Sequence, residues 1–192
     1  MTDMMDFNQI PINFSFYTKK TLDNFIVGEN QILIDALRKL NTENHIYLIY
    51  GKKASGKTHL CNAIKSMNLS NSFYVNEEKY IENKKIDIVY DILIIDDLDK
   101  IIDKSDVEEY LFSIINNQII NNKSVVITST EDIESLNIKL PDLKSRIISE
   151  FIFEIKDLDD NQKINLMTNV CKERGFDISM NVIRYILNNY NR

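Results

Sequence analysis

The stretch Gly51–Thr58, GKKASGKT, constrains the fold of this chain more than any other. It fits G-x-x-x-x-G-K-[ST], a pattern that carries meaning only when a strand runs into it and a helix leaves it. Both conditions are met. The apolar run HIYLIYG (45–51) reads as a buried strand ending in the glycine-rich loop, and a helical pattern runs from Gly56 to about Met67. In such a unit the backbone N–H groups from Lys52 to Gly56 point at a phosphate, where the helix dipole also favours negative charge. Lys57 would then reach the β- and γ-phosphates, and the Thr58 hydroxyl would ligate Mg²⁺.

The rest of the chain repeats the alternation that this unit begins. SFYVN (72–76), DILIID (91–96), SVVITST (124–130) and EFIFEIK (150–156) read as four further strands. Between them lie helical stretches. GENQILIDALRKLN (28–41) places Ile32, Ala36, Leu37 and Leu40 on one face, and SDVEEYLFSIINNQIINN (105–122) is amphipathic, with Ser105 or Asp106 as its cap. Nearly continuous apolar strands separated by helices predict an α/β fold: a five-stranded parallel sheet with helices on both faces. After Asp157 the pattern is helical only, with KDLDD (156–160) as linker and N-cap and Gly175 as the stop between two helices. At the other end, FNQIPINFSFYTKK (7–20) alternates without helical period, and Pro11 disfavours a helix. The expected organisation is an extended arm over 1–20, an α/β nucleotide-binding domain over 21–156 and an incomplete helical lid over 157–192.

Charge and cysteine usage exclude several classes. With 23 basic and 29 acidic residues the net charge is −6, which argues against a broad nonspecific nucleic-acid footprint. Cys61 and Cys171 have no metal-ligand spacing and read as small buried apolar residues in a reducing compartment. His45 and His59 have no ligand partner at useful spacing, so the only metal expected is nucleotide-bound Mg²⁺. The N-terminus lacks the apolar core of a signal peptide, and no apolar run is long enough to span a bilayer, so a cytoplasmic protein without membrane contact is expected.

The strand DILIID ends in Asp96, which places a carboxylate at the carboxyl edge of the sheet beside the loop, suited to Mg²⁺. Asp97 follows and is placed to orient or deprotonate an attacking water. Asp99 and Lys100 read as solvated loop charges, and Thr128, Ser129 or Thr130 would hydrogen-bond to phosphate or water.

Five segments together, TLDNFIVGENQ (21–31), GKTHL (56–60), LIIDDLD (93–99), LNIKLPDLKSRIISEF (136–151) and ERGFDISMNVIRYILNNYNR (173–192), resemble the AAA+ P-loop NTPase module of the DnaA family of replication initiators, with a closer likeness to its Hda branch. The likeness runs from about Gln9 to Arg192. It implies ATP or ADP with Mg²⁺ as ligands. Phe25, Ile26, Val27 and Gly28 would line the adenine side, and Gly51, Lys53, Ala54, Ser55, Gly56, Lys57, Thr58 and His59 would form the phosphate side. It also implies that Arg146 is an arginine finger working in trans on a neighbour's γ-phosphate. The arm segment Gln9, Ile10, Ile12, Phe14 is similar to the family's peptide for the sliding clamp, the β subunit of DNA polymerase III. By its residues alone it fits either an apolar groove on a partner or an edge strand folded back on the domain.

The implied function is regulation of replication initiation, with DnaA and the clamp as partners: clamp binding, and promotion of ATP hydrolysis on DnaA. A homo-oligomer is also compatible. Departures from the family pattern shape this expectation. No helix-turn-helix domain follows, so sequence-specific DNA binding is not expected, and the stretch between Asn76 and Asp91 is short. Thr130 stands where the initiator carries an acidic sensor residue, and the chain stops at Arg192, short of a second sensor arginine. Intrinsic hydrolysis is therefore expected to be slow. A non-hydrolytic adaptor of the replication machinery and a DNA-stimulated loader ATPase are the alternatives.

Overall fold

A computed structural model describes residues 19–40, 42–67, 71–77, 89–102 and 107–189. The arm up to residue 18, the cap at Ser105 or Asp106, most of the stretch from Asn76 to Asp91, and Arg192 lie outside the described residues. In chain order the elements are α1 (Gln31–Arg38), β1 (Ile46–Tyr50), α2 (Lys57–Lys65), β2 (Ser72–Val75), β3 (Ile92–Ile95), α3 (Leu98–Ile101), α4 (Val107–Ile120), β4 (Ser124–Ser129), α5 (Pro141–Ile147), β5 (Phe151–Glu154), α6 (Asp160–Glu173) and α7 (Met180–Asn189).

The five strands form one sheet in the order β2-β3-β4-β1-β5, parallel throughout. Successive side chains on a strand face opposite ways, so the apolar runs supply two cores at once. Ile46, Leu48, Leu93, Ile95, Val125 and Ile127 join α3, α4 and α5 on one face. Tyr47, Ile49, Ile92, Ile94 and Val126 join α1 and α2 on the other. Each fully buried Ile or Leu contributes about 1.5–3 kcal/mol relative to exposure, which explains why runs without polar interruption are needed here. The α/β architecture expected from the sequence is the one observed.

Two details differ from the sequence reading. On α1 the buried face is Leu33, Ile34 and Leu37, with Leu40 just beyond, whereas Ile32 is 79% exposed. The helix carries two overlapping apolar stripes that share Leu37 and Leu40, and only contact with the sheet chooses between them. On β5, Phe151 and Ile152 stay 41% and 45% exposed, because this strand has a single neighbour, β1, and lies at the sheet edge. Phe151 still finds partial cover, stacking on Tyr47 at 5.5 Å between ring centroids.

The switch in strand order places β1 between β4 and β5, so the loop after β1 emerges where neighbouring connections diverge, the usual position for a ligand crevice. Behind β5 the chain turns into α6 through a capping box. The Asp159 carboxylate accepts from Gln162 N at 2.8 Å, and Gln162 Oε1 accepts from Asp159 N at 2.9 Å. Gly175, at φ +80°, closes α6: its N–H donates to Lys172 O and the Phe176 N–H to Cys171 O, so two orphan carbonyls are satisfied. Cys171 on α6 is half-buried, unlike the buried residue expected; α6 has no fully buried residue at all. No helix among the described residues is long and apolar enough to cross a membrane.

Candidate functional site

The glycine-rich loop is shaped by close contacts that a Cβ would break. Gly56 has φ +102°, and a Cβ there would lie 2.8 Å from the Phe25 ring. Gly51 is closed in by Ile155, whose Cβ would be 3.1 Å from an added Cβ. Ala54, a residue with a side chain, sits at φ +65°, a conformation that costs about 1 kcal/mol or more and persists only where surroundings impose it. Gly51 N donates to Ser129 O and Ile155 N to Tyr50 O, so the loop is anchored to both strands beside β1.

Lys57 is buried and its ammonium donates to Gly51 O at 2.6 Å and Lys52 O at 2.9 Å. Burial holds its proton affinity below the usual lysine value, partly offset by Asp97, Asp99 and Asp96. Ser55 Oγ is buried with no hydrogen-bond partner among the described residues. A buried cation resting on carbonyls, a free buried hydroxyl and two glycines with no room for a side chain make a fit for a phosphate group. Thr58 is exposed at the first turn of α2.

A cleft of about 880 Å³ opens beside this loop, large enough for a mononucleotide. Phe25 and Ile26 line one side, Lys53 to Gly56 and His59 the floor, and Leu158, Leu166 and Val170 the side formed by α6 and the linker before it. His59 Nε2 lies 3.0 Å from Thr21 O and its ring meets Phe25 edge-on at 5.5 Å, so the helix after the loop holds the wall segment in place. Burial lowers the His59 proton affinity below its ordinary value. Val27 packs against the core rather than into the cleft. At Gly28, φ +53°, the nearest atoms to an added Cβ belong to Gln162 and Leu158, so the close approach is to α6. Lys52, expected to serve phosphate, is paired with Asp157 at 2.6 Å, tying the loop to the α6 linker.

At the carboxyl edge of β3, Asp96 is buried and held by Thr128 Oγ1 at 2.5 Å, Tyr74 OH at 2.5 Å and Cys61 Sγ at 3.5 Å. Burial, reinforced by Asp96, pushes the Cys61 thiol well up, so it stays a neutral donor. Asp97 has φ +54°, receives a Thr128 acceptor at its N–H (2.9 Å), and its carboxylate pairs with Lys100 at 2.5 Å. Asp99 corrects the sequence reading: it is a half-buried structural acceptor, bonded to Thr130 N at 2.9 Å and Thr130 Oγ1 at 2.6 Å. Burial alone would raise its carboxyl, but the bonds from Thr130 outweigh this and hold it below the ordinary value. Thr128 and Thr130 are thus both engaged by carboxylates, and Ser129 Oγ accepts from Glu131 N. Among the described residues no group of three or more His, Cys, Asp or Glu is placed to hold a metal. A nucleotide-borne Mg²⁺ asks for only one or two protein ligands.

Comparison with known proteins points to one family. A model of the bacterial DnaA ATPase domain matches residues 74–156. An uncharacterised protein of Haemophilus influenzae is 29% identical over 189 residues, covering 93% of this chain and 82% of its own length. The chromosomal replication initiator DnaA of Wolinella succinogenes is 28% identical over 190 residues, covering 88% of this chain and 44% of its own. A solved structure of replication initiator DnaA bound to AMPPCP and single-stranded DNA superposes with TM-score 0.71 at 26% identity, over 91% of this chain and 61% of that one. These matches support a DnaA-family AAA+ protein.

The chain spans less than half the length of the Wolinella initiator. Its Arg146 lies on α5, which Pro141 opens at the first helical position. The side chain is exposed and makes no hydrogen bond or ion pair among the described residues; its backbone carbonyl accepts from Ser149. It is not among the residues lining the cleft.

Sequence reading missed Tyr74 and Asn30. Nothing in SFYVN distinguishes Tyr74 from an ordinary strand aromatic until β2 pairs with β3 in a register that sets Tyr74 opposite Ile94. Asn30 is buried, and its amide donates to Val27 O and Lys156 O while accepting from Lys156 N. It joins the wall segment to the linker across 126 residues of sequence, and no local pattern signals that.

Proposed function

We propose that this protein binds ATP or ADP with Mg²⁺ in the cleft beside Gly51–Thr58, and that it regulates initiation of chromosome replication in the cytoplasm by acting on DnaA. In this reading residues 21–156 hold the nucleotide and 157–192 act as a lid. Phe25 and Ile26 face the base, backbone N–H groups of Lys53 to Gly56 and the Ser55 hydroxyl receive phosphate oxygens, and Lys57 exchanges its two carbonyl partners for phosphate. Thr58 and Asp96 would hold the metal, which would supply positive charge to neutralise the phosphates. Asp97 is the group that would orient a water.

The observation that carries the regulatory part is Arg146: an exposed guanidinium with no partner among the described residues, and not among those lining the chain's own cleft. A side chain so displayed suits donation to a neighbour's phosphates better than service to its own, and an arginine supplied in trans is worth about 10³–10⁵ in rate. The arm residues Gln9, Ile10, Ile12 and Phe14 would tether the protein to the sliding clamp, and the chain would act without reading a DNA sequence. The test is hydrolysis of ATP pre-bound to the cognate DnaA, with this protein and DNA-loaded clamp, comparing wild type with Arg146→Ala. Stimulation should vanish in the variant. Undiminished stimulation removes the arginine-finger role, and a complex that forms without any stimulation leaves a non-hydrolytic adaptor. Clamp affinity unchanged by Gln9→Ala with Phe14→Ala would remove the arm's role.

A further inference from the structure

The carboxylate of Asp96 is held by three donors from three elements. Thr128 Oγ1 of β4 donates to Oδ1 at 2.5 Å, Cys61 Sγ of α2 donates to the same oxygen at 3.5 Å, and the Tyr74 hydroxyl of β2 donates to Oδ2 at 2.5 Å. An ionised carboxylate offers about four lone-pair sites. The two on Oδ1 are filled, and Oδ2 keeps one.

The three donors are not equivalent. Thr128 is fixed by a second bond, since its Oγ1 also accepts from Asp97 N at 2.9 Å. The thiol is a weak donor at a long distance. Tyr74 alone engages the oxygen that has a site left, and it reaches Asp96 from a neighbouring strand. The β2–β3 register pairs Tyr74 with Ile94, so the ring extends along the sheet by two residues to meet the carboxylate. The ring itself is steadied: Tyr74 is half-buried and packed on the α1–α2 side of the sheet, with the Lys65 ammonium 5.9 Å from its centroid.

We infer that Tyr74 is a positioning residue that aims the remaining Oδ2 lone pair of Asp96 at nucleotide-bound Mg²⁺ and thereby sets the metal affinity of the site. The inference rests on the proposed reading of Asp96 as a metal-facing group. Partners of this kind orient a ligand by using up its other hydrogen-bonding directions, and losing one commonly costs 10–100-fold in metal affinity. Tyr74→Phe removes the hydroxyl and leaves the ring's packing in place.

The experiment is calorimetric titration of ADP into wild type, Tyr74→Phe and Asp96→Asn, each across a Mg²⁺ series and in EDTA. For Tyr74→Phe the ADP affinity in EDTA should stay at the wild-type value, and the Mg²⁺ midpoint should rise about 10-fold or more. A midpoint within about two-fold of wild type, beside a clear shift in Asp96→Asn, overturns the role of Tyr74 while leaving Asp96 as the metal-facing group. ADP affinity weakened equally with and without Mg²⁺ reduces Tyr74 to packing and overturns the inference as well. If Asp96→Asn also leaves the Mg²⁺ response unchanged, the reading of Asp96 falls and takes the inference with it; absence of ADP binding in wild type removes the nucleotide site altogether.

Discussion

The sheet around Asp96 and the two C-terminal helices are built by different physics. In the sheet, every residue of β3 and β4 is buried, and Asp96 has its hydrogen bonds supplied by three elements. In the helical part, α6 buries no residue fully and α7 buries only Ile183, while Phe176, Met180, Val182 and Tyr185 remain exposed. The first region is held by apolar burial that any opening would have to reverse. The second is held by its caps, by Asn30 bridging to Lys156 O and N, and by the Lys52–Asp157 pair. The cleft therefore has one side, the glycine-rich loop, anchored to this sheet, and one side, α6, whose position costs little to change.

The strongest way to break the contrast is to compare Ile94→Ala with Leu166→Ala. Ile94 is fully buried in β3, and its truncation should cost about 2–5 kcal/mol in denaturant unfolding. Leu166 is 39% exposed on α6, and its truncation should cost under about 1 kcal/mol. Equal losses would mean that the helices share the core's cooperativity. Next in size, Lys57→Ala should weaken ADP binding about 10–100-fold, since a charge-assisted bond contributes about 1.5–3 kcal/mol. Leu166→Ala should change the same affinity several-fold at most, as measured by calorimetry.

Asp159→Ala removes one half of the capping box and should cost about 1 kcal/mol. The loss should appear as faster amide exchange within α6, with β1, β3 and β4 unaffected; uniform acceleration would contradict local opening. The smallest effect concerns pH. His59 is half-buried and its proton affinity is depressed, so its neutral form is favoured on folding. Its contribution to stability is therefore present above the unfolded value, about 6.5, and is lost as pH falls through the lower folded value. The melting-temperature gap between wild type and His59→Gln should narrow between pH 7.5 and 5.5. A gap independent of pH would show that packing against Phe25 and the contact with Thr21 O do not select a protonation state.

Much of this was legible in the chain itself. Apolar runs with no polar interruption specify strands buried on both faces, and a glycine-rich loop between a strand and a helix specifies its own backbone, because only glycine tolerates φ +102° against the Phe25 ring at Gly56. The cap at Asp159 and the stop at Gly175 were equally local, each set by hydrogen bonds within a few residues. What resisted was anything decided by a partner distant in sequence. Ile32 and Leu33 are equally apolar, and only the sheet selects the stripe that is buried. Asp99 looks like a loop charge until Thr130 comes to it from just beyond β4.

The sequence by itself determined the alternation of strands and helices, the conformation of the loop at Gly51–Thr58 and the ends of α6, since these depend on backbone sterics, periodicity and short-range hydrogen bonds. The tertiary structure alone decided that Tyr74, Thr128 and Cys61 converge on Asp96, that Asn30 ties the cleft wall to the helical linker, and that β5 lies at an exposed edge. Those outcomes follow from strand order and register, and no single segment carries either.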